Sequence, residues 1–277
     1  MNFISALDFS KDHLESKLVR SFDKYTLKQP RGIASHFPLQ LLFVSDGENN
    51  SIIVFDVTLQ FITRFKFNGM VEPWNICFNN DYEILYVICD HGIIRFNGDY
   101  PMFCKPGFEL RGCAVYNDRV FSAACYLNQI HEFDKDMTII SNIQPDVKDR
   151  KETTLIIDFV ICNECLFLLF INCPCQLQVF DFNGKFLNYF FDNISLRTPL
   201  FLTHYLNRIY ISQRDRPEVA CVKLEDDDTH IFTLSIKKRG IRNNGEWKIK
   251  SPYRPCGIFY GIEFSPVYNC LIMCEML

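Results

Sequence analysis

Short apolar runs alternate with polar turns along the whole chain, and they recur in a fixed order. Six runs end in an aromatic residue or leucine followed by Asp, Asn or Glu: Leu7-Asp8, Phe55-Asp56, Phe96-Asn97, Phe133-Asp134, Phe180-Asp181 and Leu224-Glu225. The second members are spaced by 48, 41, 37, 47 and 44 residues, and passing from Glu225 through the C-terminus back to Asp8 spans 60. Each landmark after the first is preceded by two further apolar runs. In one copy these are Gly32-Ile33-Ala34 and Leu41 to Val44, and in another Ile156 to Ile161 and Leu166 to Ile171. A fourth run follows the landmark, as in Phe61 to Phe65 or Lys185 to Phe190. The repeating unit is therefore four short strands.

No window sustains apolar residues at i, i+3, i+4 and i+7 between capping residues, so helices are not expected. Four antiparallel strands repeating every ~40–45 residues predict a β-propeller. The runs are apolar at consecutive positions, as expected of blades covered on both faces. Ile52 and Val54 would face one neighbour, Ile53 and Phe55 the other. The chain opens with strands three and four of a unit, "ISALDFS" and "SKLVRSF", and closes with strands one and two, "GIFYGIEF" and "NCLIMCEM". The expectation is one all-β domain over residues 1–277: a six-bladed propeller of four-stranded antiparallel blades. The N-terminal strands would pair with the C-terminal ones to close the ring and hide its sheet edges. A seventh blade would have to lie in the 60-residue gap, but residues 237–255 lack four apolar runs.

Composition narrows the setting. Hydrophobic residues make up 48% of the 277, enough for a large core and against global disorder. The 27 phenylalanines favour strands. The net charge of −4 names no partner by itself. The opening "MNFISALDFSKDH" has neither a basic n-region nor an unbroken apolar stretch, so a cytoplasmic location is expected. The 13 cysteines are then read as reduced, mostly buried thiols. The most membrane-like segment, residues 155–175, is interrupted by Asp158, Asn163 and Glu164 and reads as strand, turn, strand.

One copy carries a recognisable motif. "PRGIASHFPLQLLFVSDGENNSIIVFD" places Pro30, Gly32, Ile33, Ala34, Phe43, Val44, Asp46, Asn49, Asn50, Ile52, Val54, Phe55 and Asp56 in the order of the NHL repeat, and the chain resembles that family. Ser51 stands where the family usually has Arg, and the other copies keep only the skeleton. The resemblance implies a six-bladed propeller that binds proteins or single-stranded RNA. It also admits a second class, because some similar six-bladed propellers are metal-dependent hydrolases or lyases. Those need His or carboxylate side chains converging on the central channel from several blades.

Cys162, Cys165, Cys173 and Cys175 have the spacing C-x2-C-x7-C-x-C, which suggests zinc. A strand of six residues separates the two pairs by roughly 20 Å, whereas one zinc holds its sulfurs at ~2.3 Å. Structural thiols are therefore expected. None of the six histidines falls in a ligand spacing, and His91 is the one that maps to the channel mouth. No nucleophile elbow and no phosphate-binding loop occurs. No catalytic residue, metal or cofactor is expected.

Charge distribution points elsewhere. Residues 235–255, "SIKKRGIRNNGEWKIKSPYRP", carry Lys237, Lys238, Arg239, Arg242, Lys248, Lys250 and Arg254 against Glu246, with Trp247 and Tyr253 interleaved. Asn243-Asn244-Gly245 has the composition of a hairpin turn. Connections of the same class add Lys148, Arg150, Lys151, Arg214 and Arg216. Basic residues with aromatics can bind phosphates and stack bases. The expected function is a monomeric, non-enzymatic platform for a protein or single-stranded RNA, with no membrane partner.

Overall fold

The computed structural model describes residues 27–56, 60–97, 101–174, 176–190, 196, 198–205, 208–213, 219–220, 222 and 224, together with the backbone of residues 3–8, 15–19, 100, 218, 221, 223, 231–235, 241–243, 246–248, 258–265 and 270–276. Every regular element in these residues is a strand. The chain opens with β1 (Phe3–Asp8) and β2 (Glu15–Val19). Blade one follows, with β3 (Pro30–His36), β4 (Leu41–Asp46), β5 (Ser51–Asp56) and β6 (Phe61–Phe65). Blade two has β7 (Asn75–Phe78), β8 (Leu85–Cys89), β9 (Gly92–Asn97) and β10 (Tyr100–Cys104). Blade three has β11 (Leu110–Tyr116), β12 (Arg119–Ala124), β13 (Gln129–Phe133) and β14 (Ile139–Ile143). Blade four has β15 (Leu155–Cys162), β16 (Cys165–Ile171), β17 (Leu177–Phe180) and β18 (Phe186–Phe190). Blade five has β19 (Pro199–Tyr205), β20 (Arg208–Gln213), β21 (Glu218–Lys223) and β22 (Ile231–Ser235). A hairpin of β23 (Ile241–Asn243) and β24 (Glu246–Lys248) forms its own two-stranded sheet before β25 (Ile258–Ser265) and β26 (Cys270–Met276).

Five blades are thus continuous in sequence, one fewer than the six expected. The remaining four long strands form a terminal sheet in the order β2-β1-β26-β25. In it Leu7 lies across from Leu271 and Phe3 across from Glu275. Strand β25 lies against β3 of blade one on one side and β19 of blade five on the other.

The landmark residues occupy one structural layer. Phe55 pairs with Leu42, Phe96 with Leu85, Phe133 with Val120 and Phe180 with Leu166, each across strands two and three of its blade. Phe55, Phe133 and Phe180 are fully buried between blades, which stabilises the fold by ~1.5–3 kcal/mol for each ring. The acid that follows has a separate task. Asp56 accepts from Gln60 N at 2.9 Å. Asp134 accepts from Asp136 N and Thr138 N, both at 2.9 Å. Asp181 accepts from Asn183 N at 2.8 Å and Lys185 N at 2.9 Å. These carboxylates satisfy the amides of the turn between strands three and four, as short polar side chains do in turns. The Lys185 amide in turn holds the Asp181 carboxyl below its usual range.

Blade five corrects one landmark. There Val222, not Leu224, pairs with Ile209 at the layer's register. Leu224 lies just past β21, partly buried against the same apolar cluster as Val222. A shift of two residues keeps a side chain on the same face, so the hydrophobic pattern does not register it.

Strand one of each blade lines a central channel. In four of the five blades its pairing with strand two slips: at Pro30/Ile33, Leu110/Cys113, Ile156/Asp158 and Pro199/Leu202. Such bulges re-aim side chains and bend the strand. Serines of strand two clasp three of them. Gly32 N donates to Ser45 Oγ at 2.7 Å, Phe201 N to Ser212 Oγ at 3.2 Å, and Ser122 Oγ donates to Gly112 O at 2.8 Å. Neighbouring blades are tied by asparagines in the turns between strands two and three. Asn50 accepts from Glu72 N at 2.7 Å, and Asn128 accepts from Ile156 N at 2.9 Å while donating to Thr154 O at 2.6 Å. Both adopt positive φ, 49° and 52°, which asparagine tolerates better than most residues.

Candidate functional site

The N-terminal ends of the inner strands open on the face that carries the connections between blades. At that mouth the first residue of the bulge is Arg31 in blade one and Arg111 in blade three. Trp74 stands at the same place in blade two. The Arg31 guanidinium carbon lies 3.7 Å from the Trp74 ring centre, and that of Arg111 lies 3.4 Å from it. The indole is therefore stacked between cations from the blades on either side. Each arginine is held in place. Arg31 is buried and donates to Gln29 Oε1 at 2.8 Å and to Glu72 Oε2 at 3.0 Å. A Cβ on Gly47 would stand 2.8 Å from its Cζ, so only glycine leaves the guanidinium room there. Arg111 pairs with Glu109. Stacking of this kind contributes ~0.5–2 kcal/mol per cation, more where water is excluded.

One step down the channel the inner strands present Gly32, Asn75, Gly112, Asp158 and Phe201. Asp158 is the charged member of this layer, and it is buried. Its Oδ2 accepts from Leu202 N of blade five at 2.7 Å, and its Oδ1 accepts from Asn75 Nδ2 of blade two at 3.3 Å. The carboxylate reaches across blade three because Gly112 has no side chain: a Cβ there would lie 2.5 Å from Asp158 Oδ1. One aspartate thus joins blade four to blades two and five. Loss of water around it pushes its pKa up to about 7, against the backbone amides of Leu202 and Phe159, which favour the ionised form.

Below this layer the channel widens. A cavity of about 190 Å³ is lined by inner strands of all five blades, including Asn75, Cys113, Asp158 and Thr203. It shares Ile76, Cys77 and His204 with a larger space of about 350 Å³ lined by Phe37, Phe78, Tyr82 and Tyr205. His204 is exposed at this mouth, and partial loss of water beside the channel wall lowers its pKa, which favours the neutral imidazole.

The sequence-derived candidates are distributed unevenly. Lys148, Arg150 and Lys151 lie, exposed, in the connection into blade four. Lys148 is engaged there: its backbone N donates to Gln178 Oε1 at 2.9 Å, and its ammonium sits 4.5 Å from the Tyr189 ring centre. Arg242, Trp247 and Lys248 belong to the β23–β24 hairpin, where Arg242 lies across from Trp247 and Ile241 across from Lys248. Asn243 lies across from Glu246, and residues 244–245 lie outside the described residues. Lys237, Lys238, Arg239, Lys250, Tyr253, Arg254, Arg214 and Arg216 lie outside the described residues. His91 is not at the channel. It is exposed in the turn after strand two of blade two and lies 3.4 Å from Asp90.

Cys162 and Cys165 face each other across the β15–β16 turn, while Cys173 follows the far end of β16. Burial raises the thiols of Cys89 and Cys125 to about 12 and about 11, and raises those of Cys162 and Cys165 as well. Thiols raised in this way are poor nucleophiles and poor ligands.

The channel mouth escaped the sequence reading, although a signal exists. "PRGIA", "PWNIC" and "LRGCA" align as strand one of successive blades, and their second residues are Arg31, Trp74 and Arg111.

No known family model matches the chain, and no curated protein matches it. Solved structures do resemble it. Selenomethionine-substituted virginiamycin B lyase from Staphylococcus aureus is 10% identical over 100% of both chains, with a TM-score of 0.64. Hydrazine synthase of Kuenenia stuttgartiensis is 13% identical over 92% of this chain and 77% of that one, with a TM-score of 0.61. A chain of the nidogen/laminin complex is 12% identical over 83% of this chain and 93% of that one, with a TM-score of 0.60. At such identities the likeness shows the fold, a β-propeller, and leaves activity open, because propellers host unrelated functions.

Proposed function

We propose that the protein is a non-enzymatic binding platform, similar to NHL propellers, and that its loop face engages single-stranded RNA. The observation that supports this most is the β23–β24 hairpin. It is a ribbon separate from every blade, it sets Arg242 opposite Trp247, and it lies within the most basic stretch of a mildly acidic chain. Cations with an interleaved aromatic suit a flexible polyanion whose bases can stack. In this reading the terminal sheet acts as a sixth blade and closes the ring. The contacts of β25 with β3 and β19 support that arrangement.

Binding of a fluorescent single-stranded RNA should weaken with salt by a log–log slope of about −0.7 per phosphate contacted. Reversing Lys237, Lys238 and Arg239 to Glu should weaken binding and flatten that slope, and Trp247→Ala should cost ~1–3 kcal/mol if a base stacks on it. A parent protein that binds no RNA at low salt would remove the proposal.

A metal-dependent hydrolase or lyase is the competing reading, and the channel is where it would act. Among the described residues, no group of three or more His, Cys, Asp or Glu side chains is placed to hold a metal ion. Both oxygens of Asp158 are already engaged within the fold. Metal analysis of the purified protein separates the two readings.

A further inference from the structure

We propose that the channel mouth beside Trp74 and Arg111 is a seat for one oxyanionic group, a phosphate or a carboxylate. The inference rests on three blades alone and does not require the hairpin or its partner.

Three observations converge. First, two guanidinium groups approach one indole from the blades on either side of it, at 3.7 and 3.4 Å. Like charges gathered around one ring invite a counter-charge. Second, the groups are fixed before anything binds: Arg31 by Gln29, Glu72 and the space left at Gly47, and Arg111 by Glu109. Little conformational freedom would then be lost on binding. Third, Trp74 Nε1 and Arg111 Nη1 are buried donors that find no acceptor among the described residues. A donor removed from water without an acceptor is destabilising, and one oxyanion with several lone pairs can serve both. Guanidinium groups in particular suit phosphate and carboxylate oxygens.

The acids define the limits of the seat. Glu72 and Glu109 already pair with the two arginines, so a bound anion has to compete with them. The Glu72 side chain is 51% exposed and that of Glu109 is 19% exposed. Glu109, the less exposed acid beside Arg111, is therefore the main competitor of a ligand.

Trp74 makes the test direct, because the chain has only two tryptophans. In a Trp247→Phe background the emission of Trp74 is followed during titration with potassium phosphate, potassium acetate or potassium chloride at constant ionic strength. A saturable change with phosphate or acetate, but not with chloride, is expected, and the stronger of the two identifies the chemistry. Adding Arg111→Gln should weaken the response about tenfold or more. Adding Glu109→Gln should tighten it several-fold, an opposite sign that a misfolded variant would not give. The idea fails if neither anion gives a saturable change, or if the response is the same with Glu109→Gln and in the Trp247→Phe parent. Failure here leaves the RNA-binding proposal untouched, and loss of RNA binding by hairpin variants leaves this seat untouched.

Discussion

The two sides of the channel mouth have the same backbone and opposite chemistry. On blades one to three the residue before the channel layer is Arg31, Trp74 or Arg111, backed by Glu72 and Glu109. On blades four and five the same place holds Ile157 and Leu200. Strand two differs between blades one and four. Ser45 clasps the bulge of blade one, whereas Leu169 stands at that position in blade four and packs, fully buried, in an apolar cluster with Val160, Phe167 and Leu202. At this position of strand two, blade one is held by a hydrogen bond and blade four by apolar burial, while blade five keeps a serine clasp through Ser212. A repeat fixes the backbone and the buried layer, then, and leaves the channel positions free to diverge. Chemistry in such a fold is to be sought at a repeat position where copies differ, not in the motif that they share.

This contrast can be broken by substitution, and the largest effect is expected on the apolar side. Phe159 is buried in the wall of blade four and packs beneath Gly112. Phe159→Ala should cost ~3–5 kcal/mol in denaturant unfolding, through lost transfer energy and the cavity left behind. A cost under ~1 kcal/mol would show that the site collapses and that apolar packing does not carry this side.

Glycine substitutions come next. A Cβ at Gly32 would stand 2.7 Å from Asn75 Cα, and one at Gly112 would stand 2.5 Å from Asp158 Oδ1. The first obstacle is backbone of the next blade, and the second is the end of a side chain that can turn away. Gly32→Ala should therefore be the more damaging, within the ~1–3 kcal/mol typical of overpacking. Gly112→Ala should act chiefly by displacing Asp158, and it should be nearly silent when Asp158→Ala is already present. Strict additivity in that double-mutant cycle would mean that the two do not meet.

The last effect is a dependence on pH. The folded pKa of Asp158, about 7, lies above the ordinary value of 3.8. The native state therefore holds this proton more tightly than the unfolded chain does. Its stabilising contribution is complete below the ordinary carboxylate range, declines as pH rises towards 7, and changes no further above that. The melting temperature of the parent minus that of Asp158→Asn should fall across that window and then level off. A difference that rises with pH would place the carboxylate in a more polar setting than the channel described above.

Much of the architecture was legible in the chain. Fully apolar runs such as Leu166 to Ile171 announce strands covered on both faces, and the structure buries them so. The aspartates after Phe55, Phe133 and Phe180 marked the turns that they cap, although their task became plain only from their hydrogen bonds. The hairpin at residues 241–248 could be placed from Asn-Asn-Gly. Blade five was misaligned by two residues because strand periodicity is blind to even shifts. His91 was assigned to the channel from its turn, but a turn's place in a blade does not say how far it lies from the axis.

By itself, then, the sequence determined strands, order, repeat and the buried layer, because these follow from periodicities a few residues long. Tertiary structure alone decided that Arg31, Trp74 and Arg111 share one stack and that Asp158 reaches Asn75 and Leu202 past Gly112. Those groups lie 83 and 44 positions from Asp158. Their meeting depends on how blades are rotated about a common axis, and the pattern within a single repeat does not encode that rotation.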